Sequence, residues 1–397
     1  MKYIINVIVI AVLISSCHHA SVENDKNVID FESEINKKHY TVQKLSDYAV
    51  SLDYIPLENK DESVLKYPFV HSIYGDKCFY IYDSDKLLKF DSSGKYLCEI
   101  SHRGQGPKEY IYIWSMDMFQ NKLYLKNHAL SVLVYSAKGE FLSNTRINRE
   151  DFENNLPYHF CVIDSGQYVF DLTGYDKTCM LSFSNLTSHL LIPDRTVIKN
   201  KNTNSYSIDM QLYRVKDQIH FYDPVADTIY NLNKNSGITP EHVFNYGEYK
   251  MPRDDSQVVN RIRASALSET DNYIFMTFHF GNFAPEPFPI TRIIEGQEYK
   301  GENRTVCTIF DKKKRALHLM KQPIPRELGL YNDIDNGIIF WPDVISVEGD
   351  EMVMFCPADK FIETYKKQNN PPEKVKAILQ SINEESNPVA IVAKLNY

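Results

Sequence analysis

The chain has 397 residues, 43% hydrophobic and 13% aromatic, enough apolar material to bury a large core. Its 52 Asp and Glu outnumber 44 Lys and Arg, so the net charge is −8 and no global field favours nucleic acid. The one basic run, Lys312-Lys313-Lys314-Arg315, falls where a hairpin belongs and reads as a solvated turn. Tyrosine (27) and phenylalanine (21) far exceed tryptophan (2), which suits strands before it suits sugar binding.

The amino terminus divides into the parts of a secretory signal. Lys2 precedes an uncharged apolar run at 4–14, and Ser15, Ser16 and Cys17 follow. That run is shorter than the ~20 residues a membrane-spanning helix needs. Ile14-Ser15-Ser16-Cys17 resembles the lipobox of bacterial lipoproteins, which implies cleavage before Cys17 and acylation of its thiol. The expected organisation is a signal peptide at 1–16, an anchor and flexible tether at 17–44, and a folded domain at 45–397. The bilayer is then a partner through Cys17, and the address is the cell envelope, with the outer membrane favoured. Glu23 and Asp25 are too few and too far from Cys17 to decide between its two faces, and His18-His19 in a tether is a poor metal site.

From residue 77 a phrase repeats. Strands are expected at 77–82, 87–90 and 96–100 around the turn Asp91-Ser92-Ser93-Gly94. The phrase returns at 122–125, 132–135 and 140–142 around Ala137-Lys138-Gly139. Gly94 and Gly139 stand about 45 residues apart, near the period of four-stranded propeller blades. Weaker copies follow at 160–192, 210–246 and 264–319, the last interrupted near 281–303, where Pro285, Pro287 and Pro289 predict a loop. A sixth unit, 344–395, is one strand short and is broken by one helix, with Asn370 as cap, Pro371 and Pro372 in its first turn, and Val375, Ile378, Leu379 and Ile382 as its stripe. Residues 48–57 supply a spare strand to close the ring. The expected fold is all-β, a six-bladed propeller of four-stranded antiparallel blades; a pair of β-sandwiches is the alternative.

Besides Cys17 there are six cysteines and no C-x-x-C. Cys78 and Cys98, like Cys161 and Cys179, are expected two strands apart, roughly 10 Å, beyond the ~7 Å reach of a disulfide. Mostly free, buried thiols are expected.

Arg103-Gly104-Gln105-Gly106-Pro107-Lys108-Glu109-Tyr110 resembles the R-G-x-G-P-G-E-Y loop of six-bladed propeller lipoproteins common in Bacteroidota, distantly related to NHL and TolB-like propellers. Lys108 replaces a third glycine. Asn332-Asp333-Ile334-Asp335-Asn336-Gly337 with Phe340-Trp341-Pro342, and Asn387-Pro388-Val389, resemble two further stretches of that family. The resemblance implies a fold and an address, and no activity.

The motifs have structural readings. The Gly104–Tyr110 loop lacks a G-K-[ST] ending and a strand-to-helix step, so Gly104 and Gly106 are expected to supply turn conformations, Pro107 to stiffen the link, Arg103 to pair with Glu109, and Tyr110 to pack beneath. Residues 333–337 lack calcium-loop spacing and read as a turn, and Ser92-Ser93-Gly94-Lys95 matches S-x-x-K in a hairpin. His71, His102, His128, His159, His220 and His279 fall in or near strands, and propeller blades bring such residues together at a central channel. No cofactor and no metal is expected, and the protein is expected to be a monomer. The leading expectation is a non-catalytic module that binds a glycan, a peptide or an envelope protein, with Tyr110, Tyr112, Phe283 and Phe288 as candidate contacts. A metal-assisted, lactonase-like hydrolase or lyase in the channel, and a scaffold for an envelope complex, are the alternatives.

Overall fold

A computed structural model of the chain describes residues 27–128, 130–147, 157–173, 177–184, 187–196, 211–224, 226–233, 237–250, 261–294 and 297–396. Cys17, the signal-like residues and the first part of the expected tether lie outside them.

Consecutive strands pair into successive antiparallel sheets. The first holds His71–Gly75, Cys78–Tyr82, Lys86–Asp91 and Tyr96–His102, and the second Ile113–Phe119, Lys122–Asn127, Ser131–Ser136 and Phe141–Arg146. The third holds Pro157–Asp164, Gln167–Thr173, Lys177–Ser184 and Thr187–Thr196, and the fourth Gln211–Val215, Gln218–Asp223, Thr228–Asn233 and Gly237–Asn245. The fifth holds Arg263–Glu269, Tyr273–His279, Thr305–Asp311 and Ala316–Met320. The sixth joins Val344–Ile345, Glu351–Cys356 and Val389–Leu395 to the amino-terminal strand Ala49–Pro56, in antiparallel register from Val389 opposite Pro56 to Leu395 opposite Ala49. The first strand of each sheet packs on that of the next, and the sixth returns to the first. The fold is an all-β propeller of four-stranded antiparallel blades.

Stacking sheets face to face covers both sides of their middle strands. Phe79, Tyr80, Ile81 and Tyr82, successive residues of one strand, are all fully buried. The repeated turns follow from glycine: Gly94 (φ 84°) and Gly139 (φ 89°) occupy left-handed backbone that closes each hairpin, donating to the Asp91 and Ser136 carbonyls at 2.9 Å. Cys78 and Cys98 sit on strands separated by Lys86–Asp91, and Cys78, Cys98, Cys161, Cys307 and Cys356 are free, the last three buried. The Cys179 side chain lies outside the description.

Several expectations are corrected. The tether does not run to residue 44. Val28–Asp30 pairs in parallel with the outer strand of the fourth sheet, and Tyr40–Thr41 with that of the fifth. Between them runs a helix, Phe31–Lys37, whose first turn is capped by Asp30 accepting from the Ser33 amide at 3.1 Å. Buried Ile29, Phe31 and Ile35 drive this docking, and Phe31 meets Phe244, Tyr246 and Phe278 at ring distances of 5.6, 5.3 and 4.6 Å. Polar neighbours hide these three apolar residues in the sequence.

The proline-rich insertion is not all loop. Phe288–Ile294 and Gln297–Asn303 form a separate hairpin, which tolerates Pro289 because a two-stranded ribbon consists of edges. The sixth sheet's insertion holds two helices rather than one, Ala358–Lys366 and Glu373–Ser381. The first buries Phe361, Ile362 and Tyr365, spaced for one helical face; the second starts after Pro372, with no side-chain cap from Asn370. Lys312 is no freely solvated turn residue: its ammonium pairs with the buried Glu269 carboxylate and donates to the Thr270 carbonyl at 2.8 Å.

Asp117, on the first strand of the second sheet, receives Arg214 of the fourth at 2.9 and 2.6 Å, and Arg214 also donates to the Val162 carbonyl of the third at 2.5 Å. Asp117→Ala is expected to cost about 3–5 kcal/mol, because it leaves a buried guanidinium unpaired, and Phe31→Ala about 3–5 kcal/mol through a core void. Urea unfolding measures both, and unchanged stability in Phe31→Ala would return residues 28–37 to the tether.

Candidate functional site

Each sheet's first strand begins on one face of the ring. Antiparallel pairing brings the end of its second strand back to that face, so the hairpin and helix insertions and the links between sheets gather there, while the short turns such as Ser92–Gly94 lie opposite. On the insertion-bearing face, between the sixth and first sheets, opens a cavity of about 370 Å³. Tyr67, Phe69, His71, Ser72, Asp343 and Phe355 line it. Phe69 packs edge-on against Tyr67 and Phe355, at 5.3 and 5.1 Å. The Phe355 amide donates to Asp343 Oδ2 at 2.7 Å.

Both titratable walls are displaced from their ordinary values. Burial pushes His71 down to about 4, helped by the neighbouring His159, against the carbonyls of Ile113 and Trp114 that favour its protonation. Burial pushes Asp343 up to about 6, although the Phe355 amide opposes it. Asp343 remains accessible to solvent while recessed among protein atoms.

An aromatic series continues from His71. Tyr82 stacks on the His71 ring at 6.1 Å and meets Tyr112 at 5.9 Å; Tyr112 meets Trp114 at 5.6 Å, and Trp114 Nε1 donates to His128 Nδ1 at 2.9 Å. On the third sheet, His159 Nδ1 lies 2.6 Å from Oδ2 of Asp171, whose Oδ1 accepts the His159 amide at 2.6 Å. Asp171 is fully buried. Nearby Lys126, 1% exposed, is lowered by burial to about 8, partly offset by Asp171, and donates to the Asn127 carbonyl at 3.0 Å. The arrangement offers a neutral imidazole, a carboxyl group that titrates near pH 6 and an oriented histidine beside aromatic rings.

Of the expected contacts, Tyr112 joins this series, whereas Tyr110 is fully buried and donates to the Asp85 carbonyl at 2.9 Å, so it is a packing residue. Phe283 packs on Tyr249 at 4.8 Å and Phe288 begins the hairpin; both belong to the fifth sheet's insertion. The inter-sheet loop also departs from expectation. Gly104 and Gly106 do not take left-handed backbone. Glycine is needed because Glu109 folds back: its Oε2 accepts from the Gly106 amide at 2.8 Å, and a Cβ on Gly104 would fall 1.9 Å from that oxygen. Glu109 pairs with His102 (3.2 Å), not Arg103, whose backbone bridges to Tyr110. Pro107 presents its carbonyl to Asn144 at 3.2 Å. Asp335 accepts from Asn332 at 2.7 Å, from the Gly337 amide at 3.0 Å and from Tyr54, so residues 333–337 are a self-satisfied turn.

Sequence reading missed His71, Trp114, His159 and Asp343 as a group. The first three recur near the ~45-residue period at the start of successive first strands, which is the signal that links them.

A sequence family, the domain of unknown function DUF4934, matches residues 26–394. The chain belongs to this family. A comparison with curated proteins finds no match. Among solved structures, a Bacteroides fragilis protein described as exported is similar at 18% identity, covering 93% of this chain and 100% of that one, with a TM-score of 0.64. A DUF4221 member from Bacteroides vulgatus (8% identity, 68% and 84% covered, TM-score 0.44) and the virginiamycin B lyase of Staphylococcus aureus (10%, 86% and 99%, 0.38) are more distant. The likeness shows the fold of this DUF4934 member alone; NHL or TolB kinship gains no support from it.

The two displaced groups have opposite linkage. Asp343, raised from 3.8 to about 6, binds its proton more tightly folded than unfolded, so its contribution falls as pH rises across that window. His71, lowered from 6.5 to about 4, makes stability rise with pH across nearly the same window. Asp343→Asn should therefore steepen the loss of Tm on acidification from pH 6.5 to 4, and His71→Gln should reverse or flatten it. Identical pH profiles for both variants and the parent would refute this.

Proposed function

We propose that the protein is a lipid-anchored envelope protein whose propeller binds a small glycan at the face where the first strands begin. The cavity between the sixth and first sheets carries this reading: His71 and Asp343 provide hydrogen-bonding groups, and Tyr112 and Trp114 provide aromatic surface nearby on which a sugar ring stacks. The address rests on the signal-like residues 1–16, on Cys17, and on the likeness to a Bacteroides fragilis protein described as exported. Among the described residues no helix is long and apolar enough to cross a membrane, and Cys17 would supply the attachment. We read each of the six four-stranded sheets as a blade, with ring contacts between their first strands in support.

A thermal-shift panel of glycans, with peptides alongside, tests the binding. A glycan should raise Tm, and Trp114→Ala should abolish the rise while leaving the circular dichroism unchanged. No glycan shift, a shift from peptides alone, or one that survives Trp114→Ala overturns the reading. Cys17→Ser should move the protein from the membrane to the soluble fraction; retention in the membrane overturns the anchor.

The His159–Asp171 pair favours a second reading, a hydrolase or lyase with His159 as general base. Turnover of a bound glycan, lost in His159→Ala while binding persists, would distinguish it from a binding module.

A further inference from the structure

The fourth and fifth sheets bury a second polar cluster, away from the cavity. His220 is 1% exposed, and its Nδ1 lies 3.0 Å from Glu269 Oε2, which also accepts from the Tyr213 hydroxyl at 2.7 Å. The Glu269 side chain is fully buried, and Lys312 pairs with its other oxygen, Oε1, so Tyr213, His220 and Lys312 converge on one carboxylate. An anionic acceptor at Nδ1 keeps a proton on that nitrogen and turns the Nε2 lone pair outward, the arrangement that second-shell carboxylates impose on metal-binding imidazoles.

His220 Nε2 makes no hydrogen bond among the described residues, although Glu241 Oε2 lies only 3.3 Å away. Glu241 Oε2 also accepts from Asn231 Nδ2 at 3.3 Å, and its second lone pair is left for an ion beside His220 Nε2. Ligand atoms held by a tetrahedral ion at ~2.0–2.1 Å stand about 3.3 Å apart.

The backbone explains how these groups meet. Ile229 pairs with His242 and Tyr230 with Pro240, so Glu241 is an extra residue in its strand. Such a bulge re-aims side chains. Glu241 comes beside His220, while His242 on the same strand faces Phe310 of the fifth sheet at 5.6 Å. Both ring nitrogens of His242 are buried and make no hydrogen bond among the described residues.

We propose that His220 Nε2 and Glu241 hold a divalent metal ion of the zinc class between the fourth and fifth sheets, with Glu269 orienting His220 and the buried His242, next to Glu241 in the chain, turning in to complete the set. Imidazole and carboxylate donors without thiolate suit such an ion. The Glu241 side chain is 32% exposed, which gives the ion a path inward and leaves a coordination position for water. Lys312 balances the Glu269 charge at Oε1, the oxygen that His220 does not use. The ion braces one sheet against the next, so its removal is read in stability.

The full-length protein, stripped with a chelator and titrated with Zn²⁺ alone, tests this. Elemental analysis should find about one ion per chain, and Zn²⁺ should raise Tm by several degrees. Glu241→Gln, at a partly exposed position that keeps the fold, and His242→Gln should each weaken zinc binding by at least about tenfold. Co²⁺ in place of Zn²⁺ should give a ligand-field absorption band that both variants lose. Equal melting with and without Zn²⁺, or zinc bound as tightly by both variants as by the parent, overturns the site and leaves His220 a charge bridge between two glutamates.

Discussion

The contact on which the ring depends is the ion pair of Asp117 with Arg214. Arg214 starts on the fourth sheet, passes over Val162 of the third and ends on Asp117 of the second, while the Val162 amide donates to the same carboxylate at 2.7 Å. Three neighbouring first strands are thereby held in one register. Burial disfavours the guanidinium charge, and Asp117 more than offsets that, raising the Arg214 pKa. Arg214 also lies over the Phe119 ring at 5.0 Å, which adds a cation–π contact to the pair. Sheets stacked by apolar faces alone can slide; a bidentate charge pair has one geometry.

With the first strands fixed at that level, their beginnings open on one face of the ring. His71, Trp114 and His159 occupy corresponding places on the first three sheets, and Asp343 just precedes the first strand of the sixth. Repetition of a structural unit thus produces a convergence of chemically unlike side chains. The inter-sheet links serve this geometry: Tyr110 fills the space beneath Tyr82 at 5.3 Å, and Asn387 holds the 58–65 segment by accepting from the Leu65 amide at 2.9 Å and donating to the Glu58 and Ser63 carbonyls at 2.8 Å.

Much of the fold was legible because strand phrases and glycine turns are local. Gly94 and Gly139 mark the same left-handed turn, and the spare strand expected at 48–57, one strand being lacking in the last sheet, closes that sheet as Ala49–Pro56. The amino-terminal helix was illegible because its three buried side chains gain their value only against Phe244 and Phe278, which lie more than 200 residues away in sequence. The first helix of the last sheet's insertion, Ala358–Lys366, was illegible for the opposite reason: its apolar spacing at 361, 362 and 365 is present but stands beside the stronger proline signal at 371–372. The candidate site was legible only in part. Tyr112 stands out in sequence as part of the tyrosine-rich Tyr110-Ile111-Tyr112 loop, whereas the displacement of His71 and Asp343 comes from burial between two sheets that are distant in sequence.

The docked amino-terminal segment also bears on mechanics. Its strand nearest Cys17 runs parallel to the outer strand of the fourth sheet, with Val28, Ile29 and Asp30 opposite Val243, Phe244 and Asn245. Tension applied from the amino-terminal side therefore loads those hydrogen bonds in shear, together with the Phe31 aromatic contacts behind them. The closure at Ala49–Pro56 lies two sheets further on and is shielded until that first attachment yields. A protein pulled from that side would give way at a clip on its rim, with its ring still shut.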